Sequence, residues 1–72
     1  MRPEMEIELF NQKKYTELPP NVSTGFVSYV FNVHPNTATN YAKAGMFDAF
    51  RIGRNYKFNR DKVLKQLGIK IK

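Results

Sequence analysis

The chain has 72 residues, no cysteine, a single histidine and a formal net charge of +6. That length allows one small domain with a single modest core. The missing cysteines exclude disulfides and thiolate metal sites, so packing of a 42% hydrophobic composition must hold the fold together. The charge is unevenly spread. Residues 1–20 hold Glu4, Glu6, Glu8 and Glu17 against Arg2, Lys13 and Lys14, a net of −1, whereas residues 21–72 hold nine basic residues against Asp48 and Asp61, a net of +7. A basic domain behind a mildly acidic arm points to a polyanionic partner, most often nucleic acid.

The arm, residues 1–20, opens with "MRPEMEIELF", too acidic for a signal peptide. With no run of about 18 apolar residues, a cytoplasmic protein without a membrane segment is expected. Within "MEIELF", Met5, Ile7 and Leu9 alternate with Glu4, Glu6 and Glu8 as in an edge strand. Glutamate and leucine equally favour a helix, and both readings stay open. "ELPPN" reads as a linker into the domain, residues 21–72.

In "STGFVSYVFN", Val27, Val30 and Phe31 recur at helical spacing. Ser23 is a good N-cap, Val22 before it can pack on Val27, and Asn32 can end the helix in a left-handed conformation. Tyr29 falls opposite the apolar stripe, to be covered by the arm or by another protomer. Next, in "VHPNTATNYAKAG", Val33 lies in a turn, His34 occupies the N-cap position, Pro35 suits the first helical position and Gly45 the position after the last turn. Ala38, Tyr41 and Ala42 make a thin apolar face. Opposite lie Asn36, Asn40 and Lys43, flanked by Thr37 and Thr39. Two short helices joined by a short turn predict a helix-turn-helix.

Beyond Gly45 the period changes to two. "AFRIGRNYKF" is expected to form a hairpin with Gly53-Arg54-Asn55 as its turn. Phe50, Ile52, Tyr56 and Phe58 would lie on one face, with Arg51 and Lys57 on the other. Phe47 and Phe50 read as core. Asn59 caps a last helix with Val63, Leu64 and Leu67 inward and Gly68 at its end, and the tail "IKIK" is a short strand or frayed. The fold class expected is α+β: a winged helix-turn-helix with an N-terminal arm.

From Val22 to Leu67, about two thirds of the chain, the sequence resembles the small excisionase and MerR-type DNA-binding domains of phages, plasmids and mobile elements. Their first helix ends in a "LLGVS"-like turn, where this chain has "VFNVH". Their second helix reads roughly "T-V-x-R-x-I-x-x-G", matched at Thr37, Ala38, Asn40, Ala42 and Gly45. Their wing reads "AFRIGRRWRI" against "AFRIGRNYKF" at residues 49–58, and "NRDKVLKQL" stands where "PREDLEAWL" is typical. His34 replaces the usual serine cap and Asn40 a common arginine, and the arm has no counterpart. The resemblance implies duplex-DNA binding as a recombination directionality factor or a small transcriptional regulator, with an integrase or recombinase as partner and self-association on DNA.

The residue types agree with that implication. A helix in the major groove needs a thin apolar face for docking and a polar face for base edges, where asparagine pairs with adenine and threonine offers a hydroxyl or a methyl. Asn36, Thr37, Thr39 and Asn40 are therefore the expected base readers. Lys43, Arg51, Arg54, Lys57 and Arg60 are the expected contacts to backbone or minor groove. The plainer alternatives are a solvated helix face and charges that keep a hairpin soluble. Arg60 is odd, because a cation at a helix start opposes the helix dipole. No nucleophile–base pair, carboxylate dyad or phosphate loop is visible, so neither an enzyme nor a cofactor or metal is expected. The alternatives in function are a protein-interaction adaptor on the same fold and a single-strand-binding accessory of replication.

Overall fold

A computed structural model describes residues 3–69. Among these, four α-helices and one three-stranded antiparallel sheet make a small α+β domain. The helices are α1 (Pro3–Asn11), α2 (Thr24–Phe31), α3 (Pro35–Lys43) and α4 (Arg60–Gln66). The strands are β1 (Asn21–Ser23), β2 (Phe50–Ile52) and β3 (Asn55–Asn59), in the sheet order β1-β3-β2. No described helix is long and apolar enough to cross a membrane.

The stretch open to two readings is a helix, not an edge strand. Glu, Met and Leu favour helix over sheet, and helical spacing brings Glu6, Ile7 and Phe10 to the side that packs on α2. Phe10 meets Phe26 edge to face at 5.7 Å. Met5, inward in the alternating pattern, is instead 58% exposed. "ELPPN" does more than link, because Leu18 is buried in the core.

The caps of α2 form as its sequence predicts. Ser23 Oγ accepts the Phe26 N–H at 3.3 Å, and Asn32 ends the helix at φ 56°, ψ 49°. Val22 and Val27, at the two positions of a hydrophobic staple, are both fully buried. In α3, Pro35 follows His34, whose Nδ1 accepts the Asn36 N–H at 3.0 Å and so does the work of a serine cap. Ala38 and Ala42 are buried between α3 and its neighbours; their small size lets α3 approach α2 closely. Asn59 Oδ1 caps α4 by accepting the Lys62 N–H at 3.0 Å. The core joins Leu18, Val22, Phe26, Val27, Ala38, Ala42, Phe58, Val63 and Leu64, which come from β1, α2, α3, β3, α4 and the segment before β1. Ile69 packs on it, and the remainder of the "IKIK" tail lies outside the described residues.

The hairpin corrects one expectation. Its turn is two residues, Gly53-Arg54, so Ile52 pairs with Asn55, Arg51 with Tyr56 and Phe50 with Lys57. Directly paired residues project from the same face of a sheet. Tyr56 and Phe58 therefore share the helix side with Arg51, while Phe50 and Ile52 join Lys57 on the outer side. The three-residue turn expected from the sequence would have put all four apolar residues together. Shortening it by one residue flips every side chain of β2. Gly53 permits the short turn, since its φ of 59° is one a side chain rarely adopts. Phe50 is consequently 41% and Ile52 56% exposed, and Phe50 is not core. Phe47, expected in the core, is only partly buried and packs against it, stacking on Phe31 at 5.4 Å and approaching Tyr41 and Phe58 at 6.4 Å each.

Candidate functional site

The polar face of α3 stands clear of the core. Asn36, Asn40 and Lys43 are exposed and Thr37 and Thr39 half-buried, while Ala38 and Ala42 face inward. The helix packs against β3 and β2, which sets the hairpin beside it. Arg51, although not on the face assigned to it from sequence, projects on the side of the sheet that the helices occupy. Its Nε donates to the Gly53 carbonyl at 2.7 Å, which holds the side chain along the turn.

A cleft of about 460 Å³ joins these elements. It forms where β1 leaves the sheet at Ser23 to start α2, so the edge of β3 from Asn55 to Tyr56 has no strand beside it on that side. The Thr24 hydroxyl reaches across to the Tyr56 carbonyl at 3.5 Å. The walls are the first turn of α2 (Ser23, Thr24, Gly25), Thr39 of α3, and Arg54 to Lys57 of the hairpin. Among the described residues, two cations line the cleft and no carboxylate does. The Ser23 and Thr24 hydroxyls already donate to Glu6 and to the Tyr56 carbonyl, so it is the two cations, with the Thr39 hydroxyl beside them, that favour an anion.

Electrostatics separates the basic residues into two groups. Asp48 and Asp61 pair with Lys62 and Arg60, both on α4, at 3.8 and 3.0 Å. Among the described residues, Lys43, Arg51, Arg54 and Lys57 make no ion pair. Arg60 is a clamp instead. Its Nη1 donates to the Leu18 carbonyl at 2.8 Å and the Thr16 carbonyl at 3.3 Å, its backbone N–H to the Pro20 carbonyl at 2.9 Å, and its side chain is 18% exposed. Holding the arm against α4 explains why a cation opens this helix despite the dipole.

Of the nine expected contact residues, the structure gathers Thr39, Arg54 and Lys57 around one cleft. It sets Asn36, Asn40, Lys43 and Arg51 on exposed surface of α3 and the hairpin, and leaves Thr37 half-buried. Arg60 is drawn away from them by its carbonyl partners. Sequence reasoning missed the cleft wall at Ser23, Thr24 and Gly25. The signal was there, since a run of small residues at a helix start leaves its N–H groups uncovered. It also missed Glu6, which is fully buried behind that wall. Glu6 Oε1 accepts from the Ser23 N–H at 3.1 Å and the Ser23 hydroxyl at 2.7 Å, and Oε2 has no partner among the described residues. Tyr29, 49% exposed, donates from its hydroxyl to Asn11 Oδ1 at 3.3 Å, so the arm does reach it. No protein-family model, curated protein or solved structure matches the chain.

Proposed function

We propose that this protein binds duplex DNA sequence-specifically as a winged helix-turn-helix, with α2 and α3 as the helix pair and the β2–β3 hairpin as the wing. One observation carries the reading: among the described residues, every basic residue on α3 and the hairpin is without an ion pair, and they border an uncharged polar helix face and a cleft lined by no described acid. Cations left unpaired beside asparagine and threonine suit phosphates flanking base edges. In this arrangement Asn36 and Asn40 read bases, with Thr37 and Thr39 at the margins of the same face. Lys43 and Arg51 meet the backbone on either side. Arg54 and Lys57 hold a phosphate at the mouth of the cleft, with the first turn of α2 behind it. Arg60 is not part of the interface.

The resemblance to excisionase and MerR-type domains extends this to a role: a recombination directionality factor or a small regulator of a phage, plasmid or mobile element, with an integrase or recombinase as a partner. Selection from a pool of random duplexes tests the assignment of base readout. The wild type should enrich one short motif. Asn40→Ala should relax it, costing about 1–3 kcal/mol on the selected site and little on unselected DNA. Equal weakening on all sequences would place base readout on another face.

A further inference from the structure

The last turns of α2, α3 and α4 meet around Met46 and Phe47. A shallow groove of about 390 Å³ opens there, lined by Phe31, Val33, Tyr41, Met46, Phe47 and Leu67. Gln66 completes its wall and also borders a second hollow of about 410 Å³, whose other walls include Asp48, Lys62 and Lys65. Phe47 is common to both, so the two adjoin. The first is aromatic and uncharged. Phe47 stacks on Phe31 at 5.4 Å and meets Tyr41 edge-on at 6.4 Å. Phe47 and Asp48 hold φ of 59° and 52°, a left-handed conformation that side chains rarely adopt. Strain kept at two adjacent residues is a mark of binding sites more than of plain connections. Met46 lines the groove while staying 42% exposed, a flexible thioether able to fold over a ring. The second hollow is cationic. Lys62 pairs with Asp48 at 3.8 Å, and Lys65 has no ion pair among the described residues.

We propose that the two hollows form one binding site for a small aromatic carboxylate. Its ring lies in the groove against Phe31, Tyr41 and Met46, and its carboxylate meets Lys65 and the Gln66 amide. Size selects a small molecule. A volume of this order is at the low end of small-molecule sites, whereas a stable protein interface takes about 800 Å² from each partner, far more surface than this groove presents. Charge selects the sign. An uncharged aromatic groove beside an unpaired lysine suits an apolar body with one anionic end, and disfavours an amine. None of the walls is a residue proposed to meet DNA, so the inference stands apart from that reading and is tested without nucleic acid.

The test is an amide NMR titration of the full chain with cinnamate, and with cinnamamide as its uncharged twin. Cinnamate should move the signals of Phe31, Tyr41, Met46 and Leu67 to saturation at millimolar concentration, the affinity expected of a shallow site and a small ligand. Cinnamamide should act on the same residues about threefold more weakly, lacking the exposed ion pair. Lys65→Glu should weaken cinnamate about fivefold and leave cinnamamide unchanged, a split that a merely structural effect would not produce. Met46→Gln should weaken both probes, roughly three- to tenfold. Both positions are exposed, and the spectrum of each variant checks its fold before titration. No saturating shift, saturation at other residues, equal binding of the two probes, or an unchanged Lys65→Glu would each overturn the inference. So would either rival occupant. Groove signals that shift on dilution without ligand would mark a second copy there. Cinnamate binding about tenfold tighter after deletion of residues 70–72 would mark the chain's own tail.

Discussion

Strand β3 has two neighbours and treats them oppositely. On the β1 side, Val22 faces Phe58 and neither has any exposed surface. On the β2 side, Phe50, Arg51 and Ile52 are all exposed, and the strand ends in a two-residue turn tipped by Arg54. The first ladder closes the core, tying the arm, the start of α2 and the cap of α4 to one strand. The second adds little burial and extends cations and apolar groups into solvent beside α3. Phe50 and Ile52, each about half exposed, forgo roughly half of a full burial that is typically worth about 1.5–3 kcal/mol. The β2 side of the hairpin thus contributes little to the core, which leaves it free for the DNA contacts proposed for it.

Substitutions on the two sides should therefore read out differently. Phe58→Ala removes the largest buried side chain of the strand and should cost about 3–5 kcal/mol. For a domain of this size that is a large part of the whole stability, so chemical denaturation should find it barely folded. Glu6→Ala strips the acceptor from the Ser23 N–H and hydroxyl at the β1–α2 junction and should cost about 1–3 kcal/mol. His34→Ala removes the α3 cap for about 1 kcal/mol, whereas His34→Ser should be at least as stable as the wild type. Arg54→Ala, on the exposed side, should move the unfolding midpoint by no more than about 0.5 kcal/mol. A large stability loss there would show that the hairpin is architecture after all.

The same division governed what the sequence revealed. Helix ends were legible because Ser23, Asn32, Pro35, Gly45 and Asn59 act locally, through their own backbone or the next turn. The polar face of α3 was legible for a similar reason, since helical spacing fixes which residues share it. Register was not. One residue in the turn decides which face of β2 looks outward, and "IGRN" permits turns of two or three residues. Glu6 and Arg60 were hidden for a different reason: their partners, Ser23 at one end and Thr16 and Leu18 at the other, are 17 and more than 40 residues away. Nothing in local pattern announces a carboxylate that will be buried against a distant N-cap.

The most direct test of the account is the salt dependence of duplex binding by the wild type and Arg54→Ala, measured on a DNA of fixed length. The four cations on α3 and the hairpin, unpaired among the described residues, should give log K a slope against log[salt] of roughly −3 to −4, and Arg54→Ala should reduce its magnitude by about 1 while leaving the fold intact. A slope near zero, or one that Arg54→Ala leaves unchanged, would contradict the assignment of this face to DNA.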